Sequence, residues 1–403
     1  MVNLYSVARH IAIRSGNIVL NRIDCSRGGK KIRNQMSLAE LQKEYAQLLG
    51  LTDEAAISLP PAAYALNEGF QLEISRIFES EWVAVGRVEE VAEPGDYFTT
   101  ELAGEPIIVV RGDDLKVRAL SNVCRHKWTE VASGAGNARA FICPYHAWTY
   151  ARDGQLVGAQ FMDRTEGFRV EDCRLPALPC EIWGGFIFVN LAKDVAPVSE
   201  RLSTLTTVLD NYHMQEMKKF TGDDEIWETN WKLLVENFTE GYHTFHTHRD
   251  SLQNVTPAAL THWGFDEPAF SAFYSPLAAD EPVREPCHPS LTEVERRTVL
   301  MVCLYPSLVI ALSPERVFYM CLLPVSSGSV RTRWGVASYG EDFESHSLNE
   351  IAQFYKDVNE EDKIRLESIQ RGVGARYARQ GRLSWLEKTT AHFGRYLARK
   401  LAG

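Results

Sequence analysis

The chain has 403 residues, 45% hydrophobic and 24% charged, an ordinary globular composition that excludes intrinsic disorder as its general state. Its length exceeds what one hydrophobic core usually holds, so two domains are expected. A formal net charge of −10 argues against nucleic-acid binding, which calls for a basic stripe, and no apolar run of about eighteen residues marks a membrane span.

The first stretch departs from this acidic balance, because Arg9, Arg14, Arg22, Arg27, Lys30, Lys31 and Arg33 stand against the single acid Asp24. An Arg-rich, acid-poor segment suits an organellar transit peptide or a loosely packed N-terminal extension. The extension is the commoner case and is the reading adopted for residues 1–58. From about Trp82 to Asn190 the signals are those of a small all-β module. Ile107 to Val110 and Lys116 to Leu120 read as a hairpin across Gly112-Asp113-Asp114, and Asp153-Gly154 supplies a second tight turn before Leu156-Val157.

That module carries the most informative motif. Cys124-Arg125-His126 is followed, after sixteen intervening residues, by Cys143-Pro144-Tyr145-His146. Two cysteines and two histidines in mixed pairs are the ligand set of a Rieske [2Fe-2S] cluster, in which imidazoles replace thiolates on one iron. The exchange removes negative charge and raises the potential from about −400 mV to roughly −150 to +300 mV, so the cluster accepts electrons readily from a reductase. A Cys2His2 zinc site uses the same residue types, but zinc fingers usually pair like with like. The other cysteines, Cys25, Cys173, Cys180, Cys287, Cys303 and Cys321, show no spacing of a disulfide framework, which makes the cytoplasm the expected compartment.

Further along, Trp231, Leu234, Val235, Phe238 and Tyr242 fall on one stripe of an expected helix, with Glu236, Asn237, Glu240 and His243 opposite. That polar face is either solvated or lines something polar, since unpaired ionisable groups are costly in a core. The run continues as His243-Thr244-Phe245-His246-Thr247-His248. Two neutral imidazoles and a carboxylate form the facial triad of non-haem Fe(II) oxygenases, with positions left open for O2. On an undistorted helix His243 and His246 lie about 60° apart, whereas His243 and His248 lie about 140° apart and need a bend or π-bulge. Helical geometry alone therefore favours His246. Beyond this, Thr298–Leu304, Leu308–Leu312, Arg316–Leu323 and Val330–Ala337 read as an antiparallel meander, and helical patterns run from about Leu348 to Tyr377 and from Ser384 to Lys400. The acidic run Asn359-Glu360-Glu361-Asp362 has a solvated face as its ordinary explanation.

With these motifs the chain, from about Leu59 onward, resembles the catalytic α subunits of the Rieske non-haem iron oxygenases. The family's pattern of an acid, two residues, His, four residues and His falls on Glu240, His243 and His248. The resemblance therefore implies His243, His248 and Asp362 as iron ligands and leaves His246 as a neighbouring pocket residue. It also implies an α+β fold: an all-β Rieske domain (residues 59–190, with its lead-in) and a catalytic domain (residues 191–403) whose curved antiparallel sheet grips a long helix. A flavin or iron-sulfur reductase would bring electrons from NAD(P)H. Transfer to the iron would then cross between neighbours of a homotrimer, with Glu240 hydrogen-bonded to His126 or His146 on one side and to His243 on the other.

Most ring-hydroxylating members have Asp at the bridging place, and members that oxidise quaternary ammonium compounds often have Glu. Glu240 thus points to a small cationic substrate, with Trp263, Phe265, Phe270, Phe273 and Tyr274 as candidate aromatic faces. The alternatives are an aromatic acid hydroxylase or O-demethylase and, in a different class, an electron-transfer protein without a second iron. Gly241 and Thr244 stand where some relatives have Cys, and Lys127-Trp128 where Arg-Gly is common, so the pocket shape is expected to differ.

Overall fold

A computed structural model describes residues 36–339 and 345–403. The expectation placed on the basic segment from Arg9 to Arg33, like Cys25, lies outside the described residues.

The anticipated hairpin is present: Glu105–Arg111 pairs antiparallel with Val117–Ser121, with Ile108 opposite Leu120. It sits in a five-stranded sheet with Asp96–Leu102, Ala135–Asn137 and Ala177–Leu178. The apolar run Ile107 to Val110 is buried on both faces because successive side chains alternate. Ile108 and Val110 pack with Leu120, Tyr150 and Leu175 beneath the Cys-His arms. Ile107 and Val109 turn instead to a core shared with the second domain. A small sheet of Phe141–Ile142, Thr149–Tyr150 and Leu156–Gly158 carries the second arm.

The second domain is built on a seven-stranded antiparallel sheet. Its order is Lys218–Trp227, Ser329–Ser338, Arg316–Ser326, Leu308–Leu312, Thr298–Leu304, Phe270–Pro276 and His262–Glu267. The predicted meander forms its centre. A site helix (Trp231–Phe238), a long helix (Ser345–Val373) and a C-terminal helix (Lys388–Leu401) complete the domain. The lead-in that sequence groups with the Rieske module contributes Tyr64, Ile77 and Phe78 to the core around the site helix. Trp231 meets Phe78 edge-on at 5.0 Å and Phe393 of the C-terminal helix at 5.7 Å.

Polar contacts fix the site helix at both levels, capping and core. Asn230 caps it by accepting from the Lys232 backbone N–H at 2.9 Å, and the Asn230 N–H donates to Gln370 Oε1 of the long helix at 2.9 Å. Within the first turn, Lys232 Nζ lies 2.6 Å from Glu73 Oε1, neither side chain more than 1% exposed, and Trp231 Nε1–H donates to Glu73 Oε2 at 2.8 Å. Breaking a buried pair leaves an uncompensated charge and typically costs about 3–5 kcal/mol. Lys232→Met is therefore expected to lower the denaturant midpoint sharply, and the double substitution with Glu73→Gln to recover much of the loss.

The structure departs from the uninterrupted helix expected through Tyr242 and beyond. The site helix ends at Phe238; Thr239 follows as its C-cap and Thr239 Oγ1 donates to Glu236 O at 3.0 Å. Gly241 then passes so close to Thr261 that a Cβ there would meet Thr261 Oγ1 at 2.9 Å. Tyr242 leaves the apolar stripe and is exposed. A separate short helix, Thr244–Thr247, carries the chain on to His248. The face opposite the stripe is not simply solvated: Glu236 accepts from Tyr64 O–H at 2.8 Å, and burial raises its carboxyl to about 7.

Candidate metal centres and active-site cavity

The two Cys-His arms are held by matching turns. Trp128 N–H donates to Cys124 O at 3.1 Å and Ala147 N–H to Cys143 O at 3.0 Å. Trp128 and Ala147 both adopt left-handed backbone, with φ of 58° and 54°, a strained choice for residues other than glycine. Cys124 and Cys143 are buried, and the His126 and His146 rings stand 4.6 Å apart. Trp148 stacks on His126 at 4.9 Å and fixes its plane. Tyr150 accepts from the Arg125 N–H at 3.0 Å and places its own O–H 3.3 Å from Cys124 Sγ. Burial pushes the Cys124 thiol up, but the Tyr150 hydroxyl and the backbone N–H of His126 outweigh it and leave it lowered.

These residues fit a [2Fe-2S] cluster better than one zinc ion. His126 Nδ1 is buried without a hydrogen-bond partner, a lone pair free for ligation. A single tetrahedral ion would draw all four donors within bonding reach of one point. Among the described residues, no three of these four donor atoms lie within 4.8 Å of one another.

The second centre forms where the broken helix meets the long helix. Donor atoms of His243, His248 and Asp362 all lie within 4.8 Å of each other. His243 Nδ1 faces Glu240 Oε1 at 2.6 Å and His248 Nδ1 faces Glu361 Oε2 at 2.7 Å. A carboxylate only accepts, so each Nδ1 carries the proton and each Nε2 is turned inward. Both point at Asp362 Oδ1, at 3.7 Å and 3.0 Å, a buried oxygen without a satisfactory hydrogen bond. Two inward nitrogens facing an orphaned carboxylate oxygen suit a divalent cation. Burial pushes the His243 imidazole down, but Glu240 and Asp362 leave it raised; His248 is raised likewise against burial by Asp362 and Glu361. The same excess of negative charge that favours a proton favours a metal ion.

His246, which an uninterrupted helix would favour, is exposed and neither lines the cavity nor joins the donor group. The break after Phe238 removes the premise of the angular argument and brings His248, 1% exposed, inward. In sequence Glu361 reads as one acid of a solvated run. The long helix instead turns Glu361 and Asp362 toward the same histidine, and Ser251 Oγ steadies Glu361 at 2.8 Å. Glu240 is 11% exposed, and its second oxygen accepts the backbone N–H groups of Tyr242 and His243. Among the described residues no hydrogen bond joins Glu240 to His126 or His146 within the chain.

A cavity of about 150 Å³, with a mouth open to solvent, leads from His243, His248 and Asp362. Its aromatic wall is Trp227, Phe238, Phe273, Phe318, Phe354 and Tyr355. Of the aromatic residues favoured in sequence only Phe273 belongs to it. Strand alternation explains the difference: Phe273 and Ser275 face the cavity, whereas Phe270 and Tyr274 face the other side. Trp263 lies against His392 at 4.6 Å, and Phe265 meets Phe270 edge-on.

A Rieske-type arm pair and a His-His-carboxylate centre beside a deep cavity define an oxygenase component that receives electrons and acts on a small molecule. Residues 81–174 match the Rieske [2Fe-2S] domain, and residues 209–403 match the ring hydroxylating alpha subunit catalytic domain. The carnitine monooxygenase oxygenase subunit of Acinetobacter pittii is 28% identical over 82% of this chain and 89% of that protein. The glycine betaine monooxygenase oxygenase subunit of Chromohalobacter salexigens is 36% identical over 55% of this chain and 49% of its own length. The quaternary ammonium Rieske monooxygenase CntA, solved with L-carnitine, superposes with a TM-score of 0.77 at 25% identity over 88% of this chain and 98% of that one. Naphthalene 1,2-dioxygenase from Rhodococcus shares the fold at a TM-score of 0.74 and 21% identity, over 91% and 99%. The chain belongs to the Rieske non-haem iron oxygenases, as a catalytic α subunit. No helix among the described residues is long and apolar enough to cross a membrane.

Proposed function

We propose that this oxygenase oxidises a quaternary ammonium compound at a carbon beside the cationic nitrogen, with Cys124, His126, Cys143 and His146 holding the cluster and His243, His248 and Asp362 holding ferrous iron. The observation that carries the reading is the inward pair of Nε2 atoms facing Asp362 Oδ1, each histidine fixed from behind by its own carboxylate. Bound there, the iron supplies the dioxygen chemistry and the cluster the electrons. The chain's own residues orient both imidazoles, exclude bulk water behind an apolar wall, and offer aromatic faces to a cation. Such faces are worth roughly 2 kcal/mol or more each when desolvated. The carnitine and glycine betaine monooxygenase relatives support the same substrate class.

The proposal extends to assembly. Trp128 and Tyr145 beside the cluster arms are 77% and 62% exposed, and Tyr242 and Phe245 beside Glu240 are 47% and 52% exposed. Contact between these two patches on neighbouring subunits of a homotrimer would cover both and bring a cluster histidine to Glu240. A cytoplasmic setting and a separate NAD(P)H-dependent reductase complete the reading.

The test is metal and sulfide analysis of anaerobically purified protein, joined to oxygen uptake with a surrogate reductase. About three iron atoms per chain are expected for cluster plus mononuclear site, against about two for an electron carrier. Uptake should accelerate with L-carnitine, glycine betaine or choline and not with benzoate. Acceleration by benzoate alone would replace the reading with an aromatic acid hydroxylase.

A further inference from the structure

We propose that Arg284 receives a carboxylate of the substrate, so that the molecule oxidised in this cavity is a zwitterion with its carboxylate held at the rim and its ammonium among the aromatic side chains. This rests on the quaternary ammonium reading above and narrows it. Among the described residues, and apart from the iron-site acids and histidines, Arg284 and Glu315 are the charged side chains lining the cavity. They are not equivalent. Glu315 is 4% exposed and fixed to the equally buried Arg316 at 2.7 Å, so its charge is already met within the wall. It is poorly placed to attract a cation of its own.

Arg284 is different in exposure and in bonding. Its side chain is 42% exposed, and among the described residues it donates one hydrogen bond, from an Nη to Glu281 Oε1 at 2.9 Å. A guanidinium presents five N–H donors in a planar fork that matches a carboxylate two bonds at a time, so most of this fork is available. A single-contact pair at an exposed rim is weak and yields to a better-matched anion. A substrate that is only a cation gains nothing from a guanidinium at the cavity rim and is repelled by it. A hydroxyl at the far end, as in choline, cannot fill the fork. The rest of the wall is largely aromatic and suits the other pole: Trp227, Phe238, Phe273 and Phe354 line it, and Phe318 and Tyr355, stacked on each other at 4.7 Å, complete it.

The experiment compares glycine betaine and L-carnitine, which carry both charges, with choline, which carries the positive charge alone, on the iron-loaded enzyme and its Arg284→Gln and Arg284→Lys variants. The wild type is expected to prefer at least one zwitterion to choline. Arg284→Gln should raise the KM for that zwitterion on the order of 10- to 100-fold, the loss of a charge-assisted hydrogen-bond pair, with a smaller fall in kcat. Choline kcat/KM should stay level or rise. Arg284→Lys, which keeps the charge but loses the fork, should fall between. Equal use of choline by the wild type, or a parallel fall for choline and both zwitterions in Arg284→Gln, would overturn the assignment while leaving the quaternary ammonium reading intact. Failure of all three compounds to accelerate oxygen uptake would instead remove that reading, and this one with it.

Discussion

Glu240→Gln is expected to leave the cluster reducible and the iron in place while turnover falls on the order of 100-fold. The expectation follows from how the carboxylate is used. One oxygen holds His243 Nδ1–H at 2.6 Å and the other takes the backbone N–H groups of Tyr242 and His243. Glutamine is nearly the same shape, but one of its two acceptor positions becomes an NH2 donor. Either His243 Nδ1–H or the two backbone N–H groups must then face another donor, and the negative charge that would draw a neighbour's cluster histidine is gone. Glu240→Asp keeps the charge on a shorter arm and should recover part of the rate.

Two measurements separate bridging from ligand support. Rapid reduction by dithionite reports the cluster alone and should match the wild type, whereas in a single turnover the rate of cluster reoxidation, and the product formed per reduced cluster, should collapse. If iron content falls in step with turnover, the carboxylate serves mainly to hold His243, as an orienting partner does for a metal ligand. Unaltered turnover would end the bridging role altogether.

How far the sequence could be read depended on whether chemistry or local geometry set the pattern. The cluster arms were legible because mixed Cys-His pairs have few other uses, and the central meander because its apolar runs are long and bounded by Pro and Ser turns. The edge strand Lys218–Trp227 was not, since much of it is exposed and polar and it is held by pairing with Ser329–Ser338. The end of the site helix at Phe238 was invisible for another reason. Thr239 and Gly241 are compatible with a helix, and the residue packed against Gly241 where the chain turns away, Thr261, lies twenty residues downstream. The same non-local logic hid Glu361, whose neighbours in sequence are all acidic, and Arg284, which lies in a loop with no periodicity. It also misdirected the aromatic assignment, because the wall draws Trp227, Phe318, Phe354 and Tyr355 from three separate elements.

His248→Ala should lower iron from about three to about two atoms per chain, with the cluster's colour and sulfide unchanged, whereas His246→Ala should keep all three. The contrast is sharp because the two residues sit at opposite extremes of exposure only two positions apart. His248 follows the short helix Thr244–Thr247 with φ of −106° and ψ of 34°, a turn that carries its ring beneath the surface toward Asp362. There Glu361 holds Nδ1 at 2.7 Å, and Ser251 holds Glu361, so the ring is oriented before any ion arrives. Truncation to alanine removes a nitrogen donor and leaves Glu361 and Asp362 facing each other without the imidazole between them. His246 has no such support: its ring is exposed and its nearest aromatic neighbour, Phe245, is exposed as well. An intact third iron in His248→Ala, or its loss in His246→Ala, would return the second histidine to the position an uninterrupted helix prefers, and the break after Phe238 would then need another explanation.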